Sequence, residues 1–292
     1  MELMRSLIFV PGNRANMLER ARSFDADIIM VDLEDSVPPG EKVNARDMAQ
    51  EWVPILRSEG KRVMVRVNSL DTGLTRAELE AVVSPDLHGI SLGKVESVRD
   101  IRTVSALLSP LEEAAGIDAG SLRIIPWIET AKALWDARAI AESSPRLAAI
   151  AFGAEDFTND MGIERTDTGE EVAVPRSLVP IAARAAEVGG LDSPFVRFRD
   201  PDALREDALR ARGMGYIGKF AIHPAQLDII NETFSPSDDE IDYARRVVEA
   251  WDAAEAAGRG SLALDGRMVD VPVVKRAQNL LALAESIDRA GS

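Results

Sequence analysis

About eight short apolar runs recur along this chain, each followed by a stretch with helical spacing, and no other feature restricts the fold as strongly. They fall at residues 6–10, 27–31, 61–67, 88–93, 123–128, 147–152, 195–198 and 216–222. Runs this short and this apolar read as strands buried on both faces, the condition of a parallel sheet covered by helices. Eight strand-then-helix units with no long structureless gap predict an α/β chain folded as a closed (β/α)8 TIM barrel. An open doubly wound sheet is the alternative, because the fourth and seventh runs are weak. Asn13 is placed to cap the first helix, which is expected to run through about Phe24. The barrel is assigned to residues 1–232.

Residues 233–292 lie outside the eightfold pattern and are assigned to a C-terminal helical lid or oligomer extension. Ser235-Pro236-Ser237 opens a helix with Ile241, Ala244, Val248 and Trp251 on one face, and a last helix is expected over 273–289. Thirty-four Lys plus Arg stand against 49 Asp plus Glu, a formal net charge of -15. A chain this acidic repels polyanions, which argues against nucleic-acid binding. There is no cysteine, so thiolate chemistry, thiolate-bound metals and disulfides are excluded. No run of 18 apolar residues and no signal-like N-terminus occurs, and a cytoplasmic protein without membrane spans is expected.

In a parallel barrel every strand's carboxyl end opens on one face, where catalytic groups of such folds lie. Polar residues at those ends are therefore the candidates. The run 123–128 ends in Glu129 and the run 147–152 in Gly153-Ala154-Glu155-Asp156. Two carboxylates on neighbouring strands about 4.8 Å apart favour a divalent cation, and without cysteine Mg²⁺ is preferred to Zn²⁺. The plain alternative for each acid is a charge at a helix N-terminus. Arg66, in the apolar run 61–67, needs an anionic partner: a substrate carboxylate, an internal ion pair with Asp32 or Asp35, or both. Glu34 and Asp35 are placed to orient Arg66 or to meet metal-bound water. Lys94 reads as a charge-balancing partner of the acids rather than a Schiff-base lysine, and His223 as a hydrogen bonder that fixes its loop.

Phe9-Val10-Pro11-Gly12-Asn13-Arg14, Val31-Asp32-Leu33-Glu34-Asp35-Ser36-Val37, Val65-Arg66-Val67-Asn68, Gly153-Ala154-Glu155-Asp156 and Ala221-Ile222-His223-Pro224 occur in this order over nearly the whole chain. Together they resemble the HpcH/HpaI aldolase and citrate lyase superfamily, in its citrate lyase β-subunit-like branch, which includes malyl-CoA and citramalyl-CoA lyases. The resemblance implies a Mg²⁺-dependent barrel enzyme that makes or breaks a carbon–carbon bond between an acyl-CoA and a 2-oxo acid. It implies Glu129 and Asp156 as metal ligands, Arg66 as the oxo-acid-binding arginine, and Arg14 near CoA, with Lys94 and His223 also assigned to substrate. Asp35 stands where the free-acid aldolases of the superfamily have histidine, which places the chain nearer the CoA-ester branch. Met268-Val269-Asp270-Val271-Pro272 resembles a lid motif whose aspartate reaches a neighbouring subunit's site, so Asp270 is the acid/base candidate in an expected homotrimer or hexamer; helix capping is its plain alternative. Gly93 departs from the proline usual before the lysine. Malyl-CoA thioesterase or malate-synthase-like activity, and service as the β subunit of a larger citrate lyase, are the alternatives.

Overall fold

The computed structural model describes residues 2–290; the outermost ends of the two predicted regions, residue 1 and residues 291–292, lie outside the described residues. In chain order the elements are β1 (Ser6–Pro11), α1 (Ala15–Ala21), β2 (Ile28–Asp32), α2 (Lys42–Ser58), β3 (Val63–Val67), α3 (Thr75–Val82), β4 (Gly89–Leu92), α4 (Val98–Ala114), β5 (Arg123–Ile128), α5 (Ala131–Trp135), α6 (Ala137–Ala141), β6 (Ala149–Phe152), α7 (Ala154–Met161), α8 (Ala173–Ala185), β7 (Gly189–Asp192), α9 (Pro201–Met214) and β8 (Gly218–Ala221). After these come α10 (Leu227–Phe234), α11 (Asp238–Ala256), β9 (Leu262–Leu264), β10 (Arg267–Val269) and α12 (Val271–Ala290).

Strands β1 to β8 pair in sequence order, all parallel, and β8 pairs back onto β1 through Leu7 and Phe220. Closure removes both sheet edges and decides against the open sheet. Side chains alternate along each strand, so inward positions are two residues apart. Leu7, Ile28, Met30, Met64, Ile125, Trp127, Ala149, Ala151, Leu191 and Phe220 form one buried cluster, with Phe9 packed against it. Phe9, Trp127 and Phe220 contact one another in this interior, with ring centroids 4.5–5.9 Å apart. Two residues farther along β2, β3, β5 and β7 the inward series arrives at Asp32, Arg66, Glu129 and Ser193. An apolar floor topped by a polar layer is thus written into the period of two.

Two local expectations are corrected. The seventh strand is Gly189–Asp192, and residues 195–198 lie in the loop after it. Two of that strand's four residues are glycine, which contributes nothing to an apolar signal. Asn13 does not cap α1: Arg14 holds that position, with its carbonyl accepting from the amides of Met17 and Leu18, and the helix ends at Ala21.

The described residues divide into two compact units, residues 4–230 and residues 231–290 with residues 2–3. In the second, α11 and α12 bury Ala244, Val247, Val269, Val274 and Ala277 against Tyr243, Val248 and Trp251. Ser237 caps α11 by accepting from the Glu240 amide, and Glu240 reaches back to the Ser237 amide. No helix among the described residues is long and apolar enough to cross a membrane.

Candidate functional site

The β2–β3 register sets Asp32 directly beside Arg66. Arg66 Nε and Nη2 donate to the two carboxylate oxygens of Asp32, each at 2.7 Å. Asp32 is fully buried, and the amides of Glu34 and Ser36 complete its acceptor set at 2.9 and 3.1 Å. Burial works to raise the Asp32 pKa, but the Arg66 charge and these hydrogen bonds outweigh it and hold the carboxyl below its ordinary value. Burial likewise opposes the charge on Arg66, and the surrounding carboxylates overcome it, so the guanidinium titrates above its ordinary value. The guanidinium carbon also lies 4.4 Å from the Phe9 ring centroid.

Because Asp32 takes the Nε–Nη2 edge, Arg66 presents only its Nη1 side to the mouth. There Nη1 meets Asp35 Oδ2 at 3.2 Å and Glu34 Oε2 at 3.3 Å. Lys94 donates from the opposite side, with Nζ 2.7 Å from Glu34 Oε1 and 3.4 Å from Asp35 Oδ1. Burial opposes the Lys94 charge; the hydrogen bond and charge of Glu34, with Asp35 and Asp156 beyond, win and raise its pKa. A lysine held protonated in this way is a counterion, not an amine nucleophile. Glu34 is itself raised by burial and by the Asp35 charge, against the pull of Arg66 and Lys94.

Lys94 has a left-handed backbone, φ 53°, which turns its amide onto Glu129 Oε1. Two glycines give the acids room. A Cβ on Gly93 would stand 2.7 Å from Glu34 Oε1, and one on Gly153 would stand 2.5 Å from Glu129 Oε2. Real side chains do not approach so closely, so with a larger residue at either glycine the neighbouring carboxylate would have to shift. Glu129 is 4% exposed. Burial, then the charges of Asp156 and Glu34, push its carboxyl up to about 8, although the Lys94 amide favours the ionised form.

Asp156 does not end a strand. It sits in the first turn of α7, beyond β6, where the helix dipole favours a carboxylate. Among the described residues no hydrogen bond reaches its carboxylate or Glu129 Oε2. Both acids line a cavity of about 430 Å³, together with Asp71, Gly93, Lys94, Thr130 and Asp160. No group of three or more His, Cys, Asp or Glu side chains is gathered as a metal cluster among the described residues.

The remaining candidates have their own local settings. Arg14 is exposed at the start of α1, and its side chain makes no capping hydrogen bond among the described residues. His223 is exposed after β8; its Nδ1 accepts from the Ala225 amide at 3.2 Å and its ring stacks on Phe198, 5.0 Å between centroids. Asp270 belongs to the second compact unit, where Oδ1 accepts from the Val273 amide at 3.4 Å at the start of α12.

Residues outside the expected set hold the site in place. Lys42 Nζ donates to the carbonyls of Leu33 and Glu34 and to Asn68 Oδ1, clamping the turn that carries Glu34. Asn68 is fixed in turn by buried Glu78. These partners are 8 to 26 residues from Lys42, and no spacing in the chain marks them.

A family model described as HpcH/HpaI aldolase/citrate lyase matches residues 5–224. The citrate lyase subunit beta of Leuconostoc mesenteroides subsp. cremoris is 34% identical over 284 residues, covering 97% of this chain and 94% of that protein. A (3S)-malyl-CoA thioesterase of Cereibacter sphaeroides (strain KD131) is 35% identical over 283 residues, covering 97% and 95%. Among solved structures, CitE from Mycobacterium tuberculosis in complex with magnesium, acetoacetate and coenzyme A superposes with a TM-score of 0.79 at 27% identity, covering 97% of this chain and 98% of that one.

Proposed function

This chain belongs to the HpcH/HpaI aldolase/citrate lyase family, a family of lyases, and from that premise we propose that it is a Mg²⁺-dependent carbon–carbon lyase acting on a 3-hydroxyacyl-CoA thioester. Malyl-CoA and citramalyl-CoA are the substrates of this reading, cleaved to acetyl-CoA and a 2-oxo acid or formed from them. The observation that carries it is the pair Glu129 and Asp156 on one cavity at the strands' carboxyl ends, where among the described residues no hydrogen bond reaches Glu129 Oε2 or the Asp156 carboxylate. That donor set fits Mg²⁺, which takes one or two carboxylates and leaves its other positions to water and substrate oxygens. When bound there, Mg²⁺ supplies a Lewis acid that favours the ionised form of a substrate hydroxyl or oxo oxygen.

The protein groups have separate tasks in this reading. Arg66 meets the substrate carboxylate on its Nη1 side, with Asp32 fixing the plane of the fork. Lys94 balances Glu34 and Asp35, which line the approach to Arg66. Arg14 and His223, on loops at the carboxyl ends of β1 and β8, attract the CoA moiety. Asp270 of a neighbouring copy is the acid/base group: it takes the hydroxyl proton as the carbon–carbon bond breaks, and a proton returns to the thioester's α-carbon. A homotrimer or hexamer in the cytoplasm is part of this reading, and native mass spectrometry tests the assembly.

The deciding experiment incubates purified protein and Mg²⁺ with malyl-CoA and citramalyl-CoA separately and follows acetyl-CoA and free CoA by chromatography. Acetyl-CoA that disappears with EDTA supports the lyase and names the oxo acid. The 35% identity to a malyl-CoA thioesterase favours a second reading, hydrolysis, for which free CoA is the product. Neither product points to the β subunit of a larger complex, the description carried by the Leuconostoc relative.

A further inference from the structure

We infer that Ser193 is the positioning residue for Asp156, and that its hydroxyl sets the affinity of the Glu129–Asp156 pair for a divalent cation; this rests on the reading of Asp156 as a metal ligand. Among the described residues nothing donates to the Asp156 carboxylate, so where it lies depends on where α7 begins. A side chain from beyond the helix ties that beginning to the neighbouring strand end. Ser193 Oγ accepts from the amide of Ala154, the first residue of α7, at 3.1 Å, and donates to the carbonyl of Phe152, the last residue of β6, at 2.6 Å. A single hydroxyl therefore joins the end of the strand to the start of the helix that carries Asp156 two residues on. Gly153, between them, offers no side-chain cap.

Ser193 is itself held rigidly. It is 5% exposed, it follows β7, and its carbonyl accepts from Lys219 Nζ at 2.6 Å. Lys219 stands beside Asp192 in the β7–β8 register and is ion-paired with Asp192 and Asp207, while Arg176 pairs with the same two acids. Lys219 and Asp192 are almost wholly buried. Two cations and two anions out of water leave this corner of the barrel few alternative arrangements, because separating any pair strands a buried charge. The Ser193 hydroxyl carries that rigidity to the first turn of α7, which holds Asp156. Groups that orient a ligand without touching the metal are typically worth about 10–100-fold in affinity.

The test measures the Mg²⁺ dissociation constant of the full-length protein by isothermal titration calorimetry, with circular dichroism to confirm folding. Ser193→Ala is expected to bind Mg²⁺ about 10–100-fold more weakly, with kcat recovered at saturating Mg²⁺. Ser193→Thr, which keeps the hydroxyl, is expected to retain the wild-type constant. Ser193→Cys fills the same space with a weak hydrogen bonder and covers the case in which the alanine variant does not fold; it too is expected to bind more weakly. Wild-type protein and Asp156→Asn are titrated alongside. If Asp156→Asn loses Mg²⁺ while the alanine and cysteine variants keep the wild-type constant, the positioning role is overturned and the metal reading stands. If wild type does not bind Mg²⁺, or Asp156→Asn binds it unchanged, both fall together.

Discussion

Asp32 and Arg66 face each other across paired positions of β2 and β3, joined by two hydrogen bonds of 2.7 Å with the carboxylate wholly out of water. The pair occupies the Nε–Nη2 edge of the guanidinium and leaves the Nη1 side toward the mouth. It also ties that edge to the backbone, because the amides of Glu34 and Ser36 close on the same carboxylate.

Asp32→Asn breaks this arrangement while nearly preserving volume. An amide presents one acceptor oxygen where two are required, and Arg66 keeps a buried charge half met. A loss of about 3–5 kcal/mol in unfolding free energy is expected, read by urea denaturation at pH 7. A loss below about 1 kcal/mol, the size of a surface ion pair, would show that the pair does not order the site.

Arg66→Lys keeps the charge and discards the fork. A lysine cannot serve Asp32 on two atoms and a substrate carboxylate on a third. Charged hydrogen bonds are worth about 1.5–3 kcal/mol each, so kcat/KM for the lyase reaction is expected to fall at least about tenfold, with a raised KM for the 2-oxo acid in the condensation direction. Steady-state kinetics with the oxo acid varied checks this.

With Glu129 in its proposed role as a Mg²⁺ ligand, the effect of Mg²⁺ is expected to depend on pH. Its folded-state pKa is raised to about 8 from the ordinary 4.5, so the neutral acid is favoured in the folded protein. Its contribution to stability is complete below about pH 4.5 and is lost as pH rises through about 8. Mg²⁺ needs the ionised form. The rise in Tm on adding Mg²⁺ is therefore expected to be small at pH 5.5 and to grow through pH 8.5, as scanning fluorimetry with and without the cation reads. Without Mg²⁺, Glu129→Gln is expected to be more stable than wild type at pH 9, by roughly 1–4 kcal/mol given 1.36 kcal/mol per unit of pKa.

Asp156→Asn is expected to leave the Tm of the metal-free protein within a few degrees of wild type, since the carboxylate accepts no hydrogen bond that the fold would miss. Mg²⁺ binding by calorimetry and EDTA-sensitive turnover are both expected to disappear. Turnover at the wild-type rate would remove Asp156 from the site.

Lys94 is expected to form no imine. Its ammonium is held by Glu34 and Asp35, so borohydride added with pyruvate or glyoxylate should leave the protein mass unchanged. An added mass at Lys94 would replace the metal-assisted reading with amine chemistry. Lys94→Met is expected to lower activity by removing one of the two cations that buried Glu34 meets.

The sequence alone determined the barrel and the face on which its chemistry gathers. Apolar runs of four to seven residues followed by helical stretches leave a parallel sheet as the economical fold, and acids at the ends of those runs mark the carboxyl face. Glu129, Arg66, Glu34 and Asp35 were legible because each interrupts or closes an apolar run, where a charge is costly without a partner. The tertiary structure decided what the period and composition could not. Asp156 stands on a helix rather than at a strand's end; the seventh strand is half glycine; Arg66 commits one edge to Asp32; and Ser193, Lys42 and Lys219 hold the site from tens of residues away. The reason is one of range. Burial and periodicity act between near neighbours in sequence and leave a pattern there, whereas a hydrogen bond from Ser193 to Ala154 depends on strand register and barrel closure, which only the folded chain fixes.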